Sequence, residues 1–521
     1  MSTPVLTLRR VRRLVPRPVL ACAAVLAVGV ALIPLVYLAV RVSEAGWTRI
    51  ADEVFTARTG VLVIRSVALA AVVTAACAVL GAASAFLVTR TDVPGRRVFG
   101  VLAALPLAVP SYVASFAWVS TVEGFEGFWA AALVLTLVSY PYVYLPVAAA
   151  LAGADPAQEE VARSLGRGPW RTVLGVTLRQ VRPAVAAGGL LVALYVLSDF
   201  GAVSILRVDV FTRAIFTSIN LGFDRTGALV LATVLVALTA LALLGEQLTR
   251  RRAARYARLG SGAPRPATRL SLGRLRWPAL LGLSGVVALA LGVPAGSLLR
   301  WFGEGVSRPG SLAELATAAG NSLGVALLGT AVTMLLAVPV GLLTVRAPGL
   351  LAVALDRLAY LSHALPGLVI GLSLVFFGIN VAYPLYQSVW LLALAYAALF
   401  LPLAVAAVGA AAAQAPPGLE EVARSLGRRP SYVLRTVTLP LAAPGIGAGA
   451  ALVFLTCMKE LPATLLLRPT AMNTLATGLW THTSVGAYAA AAPYAALLVL
   501  IAAVPTWWLS VRTGVLTRGG G

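Results

Sequence analysis

An octapeptide rich in groups that form ion pairs and hydrogen bonds, Glu-Glu-Val-Ala-Arg-Ser-Leu-Gly, occurs twice without a change in this chain of 521 residues. The copies lie at 159–166 and 420–427, and the chain around them is 60% hydrophobic and only 12% charged. Neither composition nor core packing explains two identical polar segments. Internal repeats of this kind indicate a duplicated structural unit.

The pattern within the first copy predicts a short helix that ends in a sharp turn. Glu160 and Arg163 are three residues apart and share a helix face with Ser164. Gly166 suits the left-handed conformation that ends a helix. A second short helix over Pro169–Leu178 would begin with proline in its first turn. The same interpretation fits the second copy, with helices over Glu420–Leu426 and Pro430–Leu439 around Gly427.

This helix–Gly–helix elbow is a docking element for a partner or an amphipathic loop that lies on lipid headgroups. Lipid contact requires an apolar and a polar face, but it does not require the same eight residues twice. A partner with two equivalent sockets would require them. The identity of the copies therefore favours protein docking.

Two acids at equivalent positions, Asp199 and Glu460, are the other candidates for chemistry. Ionisable groups near the ends of apolar segments are costly, and they are functional candidates by default. Carboxylates suit a hard cation, so these acids could line its pathway. In the alternative interpretation Lys459, Arg207 and Arg468 neutralise them and pin an outer gate.

Other chemistry-bearing residues are sparse. His363 and His482 are too far apart in sequence to suggest a site, and Cys22, Cys77 and Cys457 show no metal or disulfide spacing, so any metal site is unknown. A nucleotide-binding P-loop needs Gly-Lys-Ser/Thr, whereas the single lysine, Lys459, precedes Glu460. The chain is therefore expected to carry no cofactor and no nucleotide site of its own.

The elements that must position these residues are membrane helices. The mean hydropathy is +0.91, and apolar runs long enough to cross a bilayer of about 30 Å recur along the chain. The segments do not alternate in polarity as barrel strands would. We predict an all-α polytopic membrane protein with about twelve transmembrane helices, at 18–40, 62–89, 98–121, 128–152, 183–205, 227–245, 278–299, 321–345, 357–379, 388–413, 440–458 and 489–511.

The duplication extends beyond the octapeptide. Ser66 to Arg90 aligns with Ser322 to Arg346, and after a five-residue insertion Asp199 aligns with Glu460. Six helices in each copy place both copies in the same orientation, as parallel repeats. The predicted domains are a first half at 1–245, a basic linker at 246–276 and a second half at 277–521.

The net charge of +22 indicates how the chain is oriented in the membrane. Arginines concentrate in the loops on the octapeptide side, which predicts that this side, the linker and both termini are cytoplasmic. Contact with anionic lipid is compatible with the same charges. The linker lacks interleaved aromatic residues and adjoins the membrane, so nucleic acid is not an expected partner.

The duplicated segments resemble the EAA loop of ABC importer permeases: Glu-Ala-Ala, three residues, Gly, nine residues, Ile-x-Leu-Pro. The loop at 420–440 departs from this pattern only by Val422 and Val437. In the loop at 159–179 the final proline is replaced by Arg179, which leads us to expect a different path into the following helix.

The resemblance implies that each loop is a coupling helix in a groove of a separate cytoplasmic ATPase. Glu160 and Glu421 would be the charged contacts, and Ala162 and Ala423 the close-packing positions. Gly166 and Gly427 would make the elbows. The implied partners are an ABC ATPase, two copies of it, and an extracytoplasmic solute-binding protein at a bacterial inner membrane.

The segments around Asp199 and Glu460 are similar to those of ferric-iron permeases, in which two halves are commonly fused. Ferric iron is therefore the expected cargo. Thiamine permeases are also fused, and sulfate, molybdate, spermidine and phosphonate permeases share the loop. A rival from another class is an ion-coupled secondary transporter with twelve helices, although it leaves the identical octapeptides unexplained.

Overall fold

The computed structural model describes residues 17–153, 157–220, 222, 224–256, 270–304, 311–347 and 349–512. Within these ranges every regular element is a helix, apart from an isolated bridge between Thr91 and Leu270. The prediction of an all-α protein is confirmed.

The helices of the first half lie between Arg17 and Tyr256. They are α1 (Arg17–Ala45), α2 (Trp47–Val54), α3 (Ala57–Arg90), α4 (Arg96–Leu102), α5 (Ser111–Thr121), α6 (Phe128–Ser139), α7 (Pro141–Ala152), α8 (Ala157–Ser164), α9 (Pro169–Thr172), α10 (Leu178–Ser198), α11 (Gly201–Ile205), α12 (Phe211–Asn220) and α13 (Arg225–Tyr256).

The helices of the second half lie between Arg276 and Arg512. They are α14 (Arg276–Val287), α15 (Val293–Glu304), α16 (Leu312–Arg346), α17 (Leu350–Leu361), α18 (Gly367–Asn380), α19 (Val389–Gln414), α20 (Pro417–Ser425), α21 (Pro430–Val433), α22 (Leu439–Met458), α23 (Pro462–Leu467), α24 (Leu475–Ser484) and α25 (Tyr488–Arg512). Short 3₁₀ turns cover Leu105–Ala108, Gly273–Leu275, Ser362–Ala364 and Tyr383–Leu385, and π turns cover Val173–Thr177, Ala288–Gly292 and Leu434–Thr438.

Nine of the described helical segments are long and apolar enough to cross a membrane, or ten if one sharply bent pair is a single span. The predicted helix at 98–121 is that pair, bent by 95° at Pro110. The predicted helix at 357–379 is likewise interrupted before α18, at Pro366. Proline has no N–H to donate and disfavours the helical conformation of the residue before it. Val109 and Leu365 are accordingly extended, with ψ of 118° and 114°.

The two halves repeat one packing arrangement. In the first half the hydroxyl of Ser66 accepts a hydrogen bond from the Phe211 amide at 3.2 Å. In the second, the equivalent Ser322 accepts from the Leu475 amide at 2.8 Å. Small residues let neighbouring helices approach closely. A Cβ added to Gly81 would lie 2.8 Å from that of Val143.

The first helices of the halves pack on the opposite half. Helix α1 packs against α16 and α18, and the Tyr37 hydroxyl donates to the Phe376 carbonyl at 3.1 Å. Helix α15 packs against α5, where Ser297 and Ser120 share a hydrogen bond of 2.9 Å. The two halves are therefore interlocked by reciprocal contacts.

The predicted linker at 246–276 contains ordered structure at both ends. Helix α13 continues into it as far as Tyr256, whereas 257–269 lie outside the described residues. At its other end the Leu270 amide donates to the Arg90 carbonyl at 2.8 Å. The Leu272 amide and the Ser271 hydroxyl donate to Asp92 and lower the pKa of its carboxyl. The end of the linker is thus attached to the loop that follows α3.

Candidate functional site: the duplicated loops and the paired acids

Each octapeptide forms a short helix that ends at a glycine with left-handed backbone. Gly166 has φ 78° and Gly427 has φ 77°, the conformation that the sequence predicts. Just beyond the first elbow the Arg167 amide donates to the Ala162 carbonyl at 3.1 Å, and the Arg428 amide makes the matching bond to Ala423 at 3.2 Å. These bonds satisfy carbonyls at the helix ends, as in a Schellman motif.

After the elbow, the chain runs directly into a membrane helix through a π turn. The predicted separate helix at Pro169–Leu178 is instead α9, the π turn Val173–Thr177 and the start of α10 in one continuous segment. The second loop has its π turn at the equivalent Leu434–Thr438. The expectation that Arg179 would alter the path of the first loop is therefore wrong. Arg179 and Pro440 are each the second residue after the π turn, so the two loops enter their membrane helices in the same way.

The two glutamates of each octapeptide have different environments. Glu160 and Glu421, the predicted partner contacts, are exposed. Their neighbours Glu159 and Glu420 are only 4% and 1% exposed. Burial of a carboxylate is costly unless it is paired, and both carboxylates are paired.

Each buried glutamate binds an arginine and a threonine from other elements. Glu159 forms an ion pair with Arg90 and accepts a hydrogen bond from the Thr177 hydroxyl at 2.8 Å. In the second half Arg346 lies 2.8 Å from Glu420, whose other donor is Thr438 at 2.9 Å. The burial of Glu159 and Glu420 is not apparent from their local sequence. A signal existed, because the arginines and threonines also recur at equivalent positions.

The exposed side of each loop helix presents apolar side chains beside its acid. Val161 and Leu165 are 58% and 75% exposed, and their equivalents Val422 and Leu426 are similarly exposed. Ala162 is buried and Ala423 is half-buried. Ala162 was expected to pack closely against the ATPase, but its side chain is buried within the permease itself. The outward surface includes the acid and the two aliphatic residues, together with Ser164 in the first loop and Ser425 in the second.

Asp199 and Glu460 each lie where a membrane helix ends, and each caps the short helix that follows. Asp199 caps α11 by accepting hydrogen bonds from the amides of Ala202 at 2.9 Å and Val203 at 3.4 Å. Glu460 caps α23 by accepting from the amides of Ala463 and Thr464 at 2.9 and 3.0 Å. A carboxylate at a helix N-terminus satisfies free amides and the helix dipole.

Each acid also reaches the first residue of the broken helix in its own half. The Ser111 hydroxyl at the start of α5 donates to Asp199. At the equivalent start of α18 stands Gly367, where an added Cβ would lie 2.8 Å from a Glu460 carboxylate oxygen. The longer acid of the second half thus occupies the space that a side chain occupies in the first.

The basic residues expected to neutralise these acids have other partners. Arg207 lies 3.3 Å from Glu126, and Arg468 donates to the Met472 carbonyl at 2.6 Å. Lys459 donates to the Leu107 carbonyl of the first half at 3.0 Å. The interpretation of these cations as counter-ions is wrong, because backbone amides and hydroxyls hold the carboxylates instead.

Metal-binding side chains do not cluster in the described part of the chain: no group of three or more His, Cys, Asp or Glu could hold an ion there. His482 packs against the ring of Tyr494, with centroids 5.3 Å apart. The described cysteines are free thiols. Asp199 and Glu460 are positioned as helix caps.

Comparison with known proteins identifies the family from both halves. The model of the binding-protein-dependent transport system inner membrane component matches residues 77–255 and 337–511, so each match contains one octapeptide. The chain belongs to this family. It is the permease subunit of an ATP-binding-cassette importer, and such permeases act together with an ATPase and a substrate-binding protein. The alternative of a secondary transporter is excluded.

Relatives include both fused and single-half permeases. The Fe(3+)-transport system permease protein FbpB 2 of Haemophilus influenzae is 39% identical over 480 residues, which cover 92% of this chain and 95% of that protein. The sulfate permease CysT of Escherichia coli is 30% identical over 41% of this chain and 84% of its own length. The molybdenum permease ModB of Mycobacterium tuberculosis is 30% identical over 46% of this chain and 96% of its own length.

Proposed function

We propose that this permease imports ferric iron across a bacterial inner membrane. In this proposal the iron comes from an extracytoplasmic binding protein, and two copies of a cytoplasmic ATPase bind the duplicated loops. The chain itself supplies neither nucleotide site nor cofactor. The observation that carries the proposal is the 39% identity to a ferric-iron permease along nearly the whole of both chains.

The shape of the loops supports ATPase docking. Each presents an exposed glutamate, Glu160 or Glu421, beside two exposed aliphatic side chains on a short rigid helix. A basic residue in an apolar groove would match this surface in charge and in shape. Parallel repeats would place the two equivalent surfaces on the same side of the membrane, where two ATPase copies would engage them together.

The orientation of the chain can be tested with two cysteines in a variant that lacks Cys22, Cys77 and Cys457. Ser425→Cys lies in the second octapeptide, whereas Ser484→Cys lies at the end of α24 next to the loop before α25, and both positions are exposed. In intact spheroplasts an impermeant thiol reagent should label Ser484→Cys and spare Ser425→Cys. Labelling of Ser425→Cys alone would reverse the proposed topology.

The cargo can be tested by uptake of ⁵⁵Fe in cells whose only importer of this type contains the permease. Uptake should require the permease, its ATPase and its binding protein. Parallel assays with sulfate, molybdate and thiamine test the alternatives. Permease-dependent uptake of one of these without iron uptake would contradict the proposed cargo while leaving the family unchanged.

Docking can be tested without any cargo. The double variant Glu160→Gln/Glu421→Gln should capture less ATPase in detergent, by about tenfold or more, because truncating the charge of a docked ion pair costs about 2 kcal/mol or more. Arg171→Gln, an exposed change outside the octapeptide, is the control. Full ATPase capture by the double variant would contradict the proposed contact.

A further inference from the structure

The buried glutamates form the same three-residue contact in both halves. We infer that Arg90, Glu159 and Thr177, with Arg346, Glu420 and Thr438 in the second half, are positioning residues for energy coupling. Each group of three, called here a clamp, joins a loop helix to the end of an earlier membrane helix, which carries the arginine, and to the π turn that leads into the next one. This inference rests on the proposed docking of the ATPase to the outer side of the same loop helices.

Each clamp joins three separate elements through one carboxylate. Arg90 is the last residue of α3, Glu159 lies in α8, and Thr177 ends the π turn that leads into α10. In the second clamp, Arg346 is the last residue of α16, Glu420 lies in α20, and Thr438 ends the π turn that leads into α22. Arg346 also donates to the carbonyls of Ala412 and Ala415 at 2.9 and 3.1 Å, which adds the end of α19 to the same contact.

The clamp persists across a change of spacing. The arginines align at an offset of 256 (346 − 90), whereas the glutamates and threonines align at 261 (420 − 159 and 438 − 177). The five-residue insertion therefore falls between the arginine and the glutamate. Local sequence alone would not keep these groups together, because the second loop has more chain between them. The fold brings them together in both halves.

Burial makes the clamp stiff. The side chains of Arg346 and Glu420 are 6% and 1% exposed, and those of Arg90 and Glu159 are 6% and 5% exposed. Separating Arg90 from Glu159, or Arg346 from Glu420, would take a buried charge away from its closest counter-charge, which is costly where water cannot replace it. A displacement of α8 or α20 by an ATPase would therefore move the joined membrane helices with it. Without the clamp, the loop helix would be held mainly by the chain on either side of it.

Adjacent glutamates thus have separate tasks. Glu160 faces outward toward the proposed partner, while Glu159 faces inward to Arg90 and Thr177. The same division applies to Glu421 and Glu420. This arrangement allows a direct comparison between two isosteric double variants, Glu159→Gln/Glu420→Gln and Glu160→Gln/Glu421→Gln.

The comparison uses the permease reconstituted with its ATPase in lipid vesicles. Captured ATPase and ATP hydrolysis are measured, with and without the Fe³⁺-loaded binding protein. The Glu159→Gln/Glu420→Gln variant should capture ATPase within twofold of the wild type, yet lose at least tenfold of the stimulated hydrolysis. The Glu160→Gln/Glu421→Gln variant should instead lose capture. A role in folding alone would lower the protein yield without separating capture from stimulation.

The outcomes distinguish the clamp from the docking proposal. Normal stimulation in the Glu159→Gln/Glu420→Gln variant overturns the clamp, and so does a loss of capture equal to its loss of stimulation. Normal capture and stimulation in the Glu160→Gln/Glu421→Gln variant overturn the docking contact instead. If the wild type responds to the empty binding protein as strongly as to the loaded one, spin labels on α8 and α10 replace hydrolysis as the readout. ATP should then move these labels together in the wild type and separately in the variant.

A second variant keeps the test decisive if loss of one charge prevents folding. Arg90→Gln/Glu159→Gln leaves no unpaired buried charge and retains hydrogen-bonding groups on both sides. It should fold and capture ATPase but remain at least fivefold less stimulated than the wild type. Full stimulation of this folded neutral pair would show that the ionic contact does not position the loop.

Discussion

Nη2 of Arg346 lies 2.8 Å from Oε1 of Glu420, so the end of the membrane helix α16 directly contacts the loop helix α20, which contains the second octapeptide. Both side chains are buried. In such a pair the cost of removing water is offset only while both charges are present. The stability of the loop therefore depends on each partner.

Arg346→Ala should destabilise the permease by about 3–5 kcal/mol, because it leaves a buried carboxylate without its cation. The free energy of unfolding in an SDS titration measures this loss. The exposed Arg435→Ala should change it by less than about 0.5 kcal/mol. The double variant Arg346→Met/Glu420→Met should recover part of the stability, because it removes the unpaired carboxylate but not the loss of the bonds to the Ala412 and Ala415 carbonyls. A double variant no more stable than Arg346→Ala would show that the unpaired carboxylate is not the cause.

The elbows should tolerate only glycine well. Gly427→Ala places a side chain at φ 77° and should cost about 1–2 kcal/mol. No atom lies within 4 Å of the added Cβ, so the effect would come from the backbone alone. Gly427→Asn should lose less, since asparagine visits this conformation more readily.

Gly418→Ala is the matched control for the elbow, because Gly418 lies inside α20 and its added Cβ also meets no atom. This change should stabilise the protein by about 0.5–1 kcal/mol. Equal melting temperatures for the Gly427→Ala and Gly418→Ala variants would contradict the backbone argument.

The sequence predicted the loops well because their features are local. A glycine after a charged helix, followed by proline, is a short-range pattern, and both elbows have the predicted conformation. The two neighbouring glutamates look alike in sequence, however. Only the fold places Arg90 beside Glu159, across a stretch that includes α4 to α7. Tertiary contacts of this kind have no local signature.

Two other expectations failed for physical reasons. Hydropathy predicted single helices at 98–121 and 357–379, but it does not register the breaks that Pro110 and Pro366 impose. In one of the two interpretations of Asp199 and Glu460, Lys459, Arg207 and Arg468 would neutralise the two acids. The broken helices supply free amides at their N-termini instead, and these satisfy carboxylates without any cation.

The fit between Gly367 and Glu460 predicts a specific rescue. Gly367→Ala places a Cβ 2.8 Å from the Glu460 carboxylate and should destabilise the protein by about 1–3 kcal/mol through overpacking. Adding Glu460→Asp should restore stability, because the shorter acid matches the arrangement of the first half. Gly324→Ala in α16, where the added Cβ meets no atom, is the control. A double variant no more stable than Gly367→Ala alone would contradict this fit.

The helix caps predict that geometry matters more than charge at the two acids. Asp199→Asn retains an oxygen that can accept from the amides of α11, and it should cost less than about 1 kcal/mol. Asp199→Ala removes the cap and should cost about 1–2 kcal/mol. Thermal unfolding in detergent ranks the two variants. If ⁵⁵Fe uptake falls at least tenfold in a fully stable Asp199→Asn variant, the charge itself serves the cargo pathway.

Lys459 provides a contact that must break if the halves move apart, because its ammonium donates to the Leu107 carbonyl of the other half at 3.0 Å. A hydrogen bond to a charged group contributes about 1.5–3 kcal/mol. Lys459→Met removes this contribution and should raise ATP hydrolysis without cargo by roughly tenfold, since 1.4 kcal/mol corresponds to a factor of ten. Lys459→Arg keeps a donor and should raise it less. ATP hydrolysis is measured with the permease and ATPase reconstituted together, and the rate is divided by the amount of captured ATPase. Unchanged hydrolysis in a folded Lys459→Met complex would mean that this contact does not restrain the movement of the halves.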